Sequence, residues 1–306
     1  MNRIFVAIKT LAHGVAMGLV ELIPGVSGGT MALILGIYSD LIRAIDSTFS
    51  WIGNSLRCLV SVSKRPTRPK EAPPFLFLFL LVVGMAAALL SGSHIVSELL
   101  RSVRGLTYAF FFGLVLASVT TPLRLMKRRG MREALIVVTG AVVSFVVTGL
   151  AAGVEREPGL PLLLLSGALS VVVLVLPGVS GSFVLLSLGS YSYVVDQLRG
   201  VTSGELTEAV LPLATFALGM VIGLATVVRL ISFLFARYQS LTLAALSGLM
   251  LGSLRALWPF FIDGKHLSIT ELGSIGVGII PLIAMTAAGA STILVLTRVV
   301  RRQGRN

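Results

Sequence analysis

The stretch Pro24-Gly25-Val26-Ser27-Gly28-Gly29-Thr30 lies inside a long apolar run, and the chain repeats it as Pro177-Gly178-Val179-Ser180-Gly181-Ser182. At an offset of 153, residues 24–39 and 177–192 agree at 10 of 16 positions: Pro24, Gly25, Val26, Ser27, Gly28, Leu33, Leu35, Gly36, Tyr38 and Ser39. A second echo, at an offset of 135, matches 106–118 to 241–253 at Leu106, Thr107, Ala109, Gly113, Leu114, Leu116 and Ser118. Gly84-Met85 returns as Gly219-Met220 in the same frame. Internal repeats constrain architecture before any local signal does. The 306 residues therefore read as two copies of one unit, 1–153 and 154–306, each opened by the Pro-Gly-Val-Ser-Gly block.

Composition says what medium the units occupy. Hydrophobic residues make up 55% of the chain, charged residues 12%, and the mean hydropathy is +0.96. A soluble domain is about 25% charged, so this is a polytopic membrane protein. The net charge of +12 does not imply nucleic acid, because the Lys and Arg residues cluster in loops between apolar spans; membrane topology is written that way. The single Cys58 excludes an internal disulfide and a cysteine metal cluster. His13, His94 and His266 show no ligand spacing, and neither metal nor cofactor is expected. The first apolar run carries Lys9 and His13 and lacks a small-residue cleavage site, so it is read as part of the mature chain.

Residues 1–40 are apolar but broken by Pro24 and its glycines, and neither half is read as long enough to span a bilayer. Proline removes a helix donor and consecutive glycines favour unwinding, which leaves a kinked spanning helix or a re-entrant hairpin. Residues 41–62 place Ile42, Ile45, Phe49, Ile52, Leu56 and Leu59 at helical spacing among Arg43, Asp46, Ser50 and Arg57. That pattern suits an amphipathic helix on the membrane surface. After a basic, Pro-rich linker, Lys64 to Pro74, come spans at about 75–97, 106–123 and 134–153. The second copy has a broken hairpin at about 160–195 and spans at about 209–235, 241–262 and 272–297. The unit is thus a hairpin plus three spans, in an all-α fold.

Charge decides between the two hairpin readings. If the hairpins re-enter, each copy crosses three times and the second copy is inverted. One side then receives eighteen basic residues, from Arg3 and Lys9 through the Arg43–Lys70 and Arg124–Arg132 groups to Arg237 and the C-terminal arginines. The other receives six: Arg101, Arg104, Arg156, Arg199, Arg255 and Lys265. If they span, the two basic loops conflict. The bias selects an inverted repeat with both termini cytoplasmic.

Broken helices at mid-depth in an inverted repeat point backbone N–H groups at an anion. Unwound backbone survives in hydrocarbon only where protein or a polar cavity supplies partners. Pro24, Gly25, Ser27, Gly28, Gly29 and Thr30, with Pro177, Gly178, Ser180, Gly181 and Ser182, are the candidate phosphate-binding residues. The bland alternative is close packing by small residues; whole-block repetition favours a site. No Gly-Lys-Ser/Thr follows, so the block is not a nucleotide phosphate loop. Glu21, three residues before Pro24, is an intramembrane carboxylate and hence a functional candidate. It either couples a proton or sodium ion, or stays paired or solvated at a cavity edge. Arg229 and Arg255 lie towards span ends, where they snorkel or guide an anionic headgroup. Tyr38 and Tyr191 serve repeat packing or interfacial anchoring.

The block Glu21-Leu-Ile-Pro-Gly-Val-Ser-Gly-Gly-Thr-Met-Ala-Leu-Ile-Leu-Gly-Ile-Tyr38 resembles the signature of the bacterial polyprenyl-phosphate transporter family (PopT-like), and the resemblance covers the whole chain. It implies a multi-pass protein of the bacterial plasma membrane whose partner is a lipid: it returns undecaprenyl phosphate from the outer to the inner leaflet for cell-envelope synthesis. The residues that carry the resemblance are Glu21, Pro24, Gly25, Ser27, Gly28, Gly29 and Thr30, with Pro177, Gly178, Ser180 and Gly181 in the second block. Undecaprenyl-pyrophosphate phosphatases are also similar, with a Pro-Gly-x-Ser-Arg-Ser motif, but here Gly28 and Gly181 stand where the arginine would. No Glu-x-x-x-Glu pair lies in the first hairpin to supply acid or metal chemistry. A non-enzymatic carrier is therefore expected, with a small-anion transporter or channel as the alternative and a phosphatase after that.

Overall fold

In both halves of the chain the repeated block becomes a short helix with its own start and stop. The computed structural model describes residues 3–22, 27–60, 72–149, 157–178, 180–203, 206–259, 261–262, 265–266 and 279–303. Helix α1 (Arg3–Glu21) precedes the first block, and α2 (Gly28–Ile34) follows it. In the second half α8 (Leu160–Val175) precedes the block and α9 (Gly181–Ser187) follows. Ser27 and Ser180 are the extended N-cap residues of α2 and α9, the position serine prefers. Gly36 and Gly189 end these helices at φ +74° and +66°. The Gly36 N–H donates to Leu33 O at 3.1 Å and the Ile37 N–H to Ala32 O at 3.0 Å. Gly189 and Ser190 repeat both bonds onto Leu186 and Leu185 at 3.1 and 2.9 Å. A left-handed residue closed by this pair of bonds is a Schellman ending, for which glycine carries no steric cost.

The remaining elements also correspond. Helices α3 (Tyr38–Val60), α4 (Phe75–Ser102), α5 (Arg104–Ser118), α6 (Thr120–Leu125) and α7 (Met131–Val147) complete the first half. Helices α10 (Tyr191–Ser203), α11 (Leu206–Ser253) and α12 (Ile279–Gln303) complete the second. A 3-10 turn, Leu254–Leu257, extends α11, and Phe261–Ile262 (β1) pairs antiparallel with Lys265–His266 (β2).

Glycine sets which helices pair. A Cβ on Gly14 would fall on the Leu81 backbone of α4, and one on Gly84 on Leu11 of α1. The same exchange joins α8 to the first part of α11, through Gly167 on Phe216 and Gly219 on Leu164. The third pair crosses between halves: Gly113 of α5 meets Thr286 and Gly289 of α12 meets Phe110. Its counterpart joins α7 to the second part of α11, where Gly248 meets Val137. Small residues let helix backbones approach closely in membranes, where water does not drive association.

Five helical stretches among the described residues are long and apolar enough to cross a membrane: Ile4–Glu21, Phe75–Gly92, Arg104–Leu125, Ala209–Leu257 and Ile279–Arg298. Large side chains such as Leu90, Ile280 and Ile283 stay exposed on these helices, as lipid contact requires. The chain is a polytopic membrane protein.

Several expectations are corrected. Helix α1 runs 19 residues up to the break, so the first arm does reach spanning length; helix starts at Arg3, well before the apolar run is interrupted. The expected division between spans 209–235 and 241–262 is present: the run Leu206–Ser253 is two helical lengths that meet at a kink at Tyr238 (φ −134°, ψ 45°). Its 49-residue apolar stretch would extend about 74 Å if straight, at about 1.5 Å per residue, so the bend divides it into two lengths. Helix α7 ends at Val147, earlier than the expected 153, and residues 150–156 lie outside the described set. The second copy also has its own helix after the hairpin, α10, the counterpart of α3.

Helix α3 does not lie free on a surface. It packs on α4 and α11, and Ile42 and Ala44 are buried. The first part of its stripe, Ile42, Ile45 and Phe49, faces the interior beside the wholly buried α2, whereas Ile52 is exposed.

Candidate functional site

The first repeated block meets the end of the helix that leads into the second. Ser27 caps α2, accepting from the Thr30 N–H at 3.3 Å, and its hydroxyl donates to Leu176 O at 3.2 Å. Leu176 directly precedes Pro177 of the second block. Tyr38, where α3 begins, donates its phenol to Val175 O at 3.2 Å. A Cβ on Gly29 would stand 2.6 Å from the same carbonyl oxygen. The last carbonyls of a helix have no partner within it, so two hydroxyls of the first half satisfy the end of α8. Ser27 and Thr30 are wholly buried.

Glu21 closes α1, and its Oε1 accepts from the Gly28 N–H at the start of α2. The carboxyl group faces a cavity of about 390 Å³. Met17, Gly28 and Gly29 form its inner end; Ile42, Ile45 and Phe49 of α3, Leu81 and Met85 of α4, and Val171 and Leu174 of α8 form its walls. Among the lining residues Glu21 is the only one with an acidic or basic side chain of the Asp, Glu, Lys, Arg or His kind. The cavity is therefore a greasy chamber with one acid at the junction of the two breaks. It suits an apolar chain and repels an anion while the acid is ionised.

The second block packs rather than opens. Ser180 is buried and its Oγ lies 2.7 Å from that of Ser182, which is exposed. Gly178 adopts φ +107°, and a Cβ there would stand 2.8 Å from Leu249 O of α11. A Cβ on Gly181 would stand 2.8 Å from Ser170 O of α8. Pro177 is buried beside them, whereas Pro24 and Gly25 lie outside the described residues. Arg229 and Arg255 are not brought to the cavity. Arg229 is exposed on α11. Arg255 donates to Phe145 O at 3.2 Å and lies 4.5 Å from the Phe145 ring centroid, so it engages the end of α7.

Residues 17–273 match the VCA0040-like family, described as undecaprenyl phosphate translocase-like. The chain belongs to this family. A polyprenyl-phosphate transporter of Vibrio cholerae is 34% identical over 256 residues, covering 83% of this chain and 78% of the relative. A second polyprenyl-phosphate transporter, from Staphylococcus aureus, is 30% identical over 262 residues, covering 81% of this chain and 85% of the relative. No solved structure matches the chain.

Sequence reasoning left Tyr38 undecided and missed the α3 wall altogether. The signals were present: Tyr38 recurs as Tyr191, and the α3 stripe has helical spacing. The structure separates the two tyrosines, since Tyr38 is 2% exposed against the end of α8 and Tyr191 is 37% exposed.

Proposed function

We propose that the protein carries undecaprenyl phosphate or a related polyprenyl phosphate from the outer to the inner leaflet of the bacterial plasma membrane, with both termini cytoplasmic. The observation that carries this reading is the contact of the first block with the helix end that leads into the second, Ser27 against Leu176, beside an apolar cavity that holds one acid. Names of the relatives supply the substrate class.

In this reading each block is the tip of a re-entrant hairpin and the second half is inverted relative to the first. The prenyl chain occupies the apolar cavity and the surrounding lipid. The phosphate is held at the junction by backbone N–H groups and by the hydroxyls of Ser27, Thr30 and Ser180. Ser27 and Tyr38 donate to α8 carbonyls, so these donors hold the two halves together at the junction. Rocking one half against the other frees those donors for the headgroup and moves the opening between leaflets. A bare phosphate is too costly to move through hydrocarbon, and an inward-negative potential opposes its import by about 2.3 kcal/mol per charge per 100 mV. Glu21 couples the movement by taking a proton or sodium ion, which also removes its repulsion of the phosphate.

Proteoliposomes holding fluorescent undecaprenyl phosphate test the reading. Wild type should flip the headgroup without releasing phosphate from the pyrophosphate form, and Ser27→Ala/Ser180→Ala should lose flipping. Glu21→Gln should flip at a rate that no longer responds to proton or sodium gradients. Released phosphate would make the protein an enzyme; transport of free phosphate without flipping would make it a small-anion carrier.

A further inference from the structure

Between α3 and α11 lies a second hollow of about 390 Å³, with a more polar lining than the first. Ser39 and Arg43 of α3 and Ser232 and Gln239 of α11 give it polar walls, with Ile42 and Phe235 at its base. Ile42 borders both hollows. The Tyr38 ring, which lines the apolar cavity, meets the Phe235 ring at a centroid distance of 5.9 Å. A partition one side chain thick, Tyr38–Phe235–Ile42, therefore separates a polar cleft from a greasy chamber. The cleft opens beside the bend at Tyr238, the hinge between the two lengths of α11.

We infer that this cleft is a docking position for a phosphate monoester, distinct from the repeated blocks and reached before or after them. The inference rests on the carrier reading above. Arg43 supplies the cation: its Nε donates to Ser39 O at 3.3 Å and its Nη2 to Asp40 Oδ1 at 2.6 Å. Five N–H donors on a planar fork leave several for a phosphate, and two serine hydroxyls and an amide stand around it. The lining of the chamber beside the blocks has no cation and that of the cleft has Arg43, so the cleft suits a headgroup whose chain lies in the surrounding lipid. Arg43 is 71% exposed and Asp40 is its partner, so the bound anion competes with the Asp40 carboxylate for the guanidinium.

That competition yields opposite signs from neighbouring substitutions. With purified protein in nanodiscs, farnesyl phosphate, farnesol and inorganic phosphate are titrated against wild type, Arg43→Gln, Asp40→Asn and Gln239→Ala. Farnesyl phosphate should bind wild type, about tenfold more weakly to Arg43→Gln, severalfold more weakly to Gln239→Ala and severalfold more tightly to Asp40→Asn. Loss of an i,i+3 ion pair alone would affect both partners alike. Farnesol should be indifferent to all three substitutions. Inorganic phosphate following the same order would mark the cleft as a site for free phosphate; no response to it would assign the site to a lipid headgroup. Unchanged farnesyl phosphate affinity across the variants would overturn the cleft while leaving the carrier intact. No farnesyl phosphate binding to wild type would overturn both.

Discussion

One hydroxyl at Ser27 holds together two ends that are 149 residues apart. It caps α2 and donates to Leu176 O from a fully buried position. Removing an N-cap serine costs about 1 kcal/mol, and a buried carbonyl left without a donor adds about 1 kcal/mol or more. Ser27→Ala should therefore destabilise the protein by about 2 kcal/mol, read as a lower thermal midpoint in detergent. Ser180 makes no side-chain cap bond and shares its hydroxyl with exposed Ser182, so Ser180→Ala should cost clearly less. Equal losses at the two serines would contradict the assignment of Ser27 as the link between the blocks. What the sequence showed at this scale was local: serine before a short helix and glycine after it announce a cap and a turn. That Ser27 engages a carbonyl of the other half was not legible, because no sequence spacing encodes which helix end arrives beside it.

Helices here are matched by glycine contact, not by hydrophobic stripes. Gly113 and Gly289 each lie against the partner backbone across the α5–α12 pair, with no room for a Cβ. Gly289→Leu should push those helices apart and lower stability by about 3 kcal/mol, the upper range for overpacking. Gly53 of α3 has nothing within 4 Å of where its Cβ would stand, so Gly53→Ala should raise the thermal midpoint, by about 0.5–1 kcal/mol of helix propensity. A tolerated Gly289→Leu would show that the α5–α12 contact is loose in the membrane. Repetition foretold these pairs in part, since Gly84 returns as Gly219 and Gly113 as Gly248. The partner helix was not foretold. The polar stretch Arg237-Tyr-Gln-Ser-Leu241 did mark where two spans join, and Tyr238 within it leaves helical φ/ψ.

For the whole molecule, the proposed inverted arrangement predicts which loops share a side. In a Cys58→Ser background, Arg128→Cys should label with an impermeant thiol reagent only from the cytoplasmic face, and Arg199→Cys only from the opposite one. Labelling of both from one face would rule out the inversion and with it alternating access by two opposed halves. The membrane class and the positions of the breaks were readable from the chain, because hydropathy and turn chemistry act over a few residues or by simple count. Three further facts came only from the folded chain: Ser27 and Tyr38 close over α8, the first half of α3 walls the apolar chamber, and a thin partition divides that chamber from a more polar cleft. Each depends on which surfaces meet at long range. Many pairings of apolar helices bury comparable area, so backbone approach at a few glycines, rather than the pattern of any one segment, selects among them.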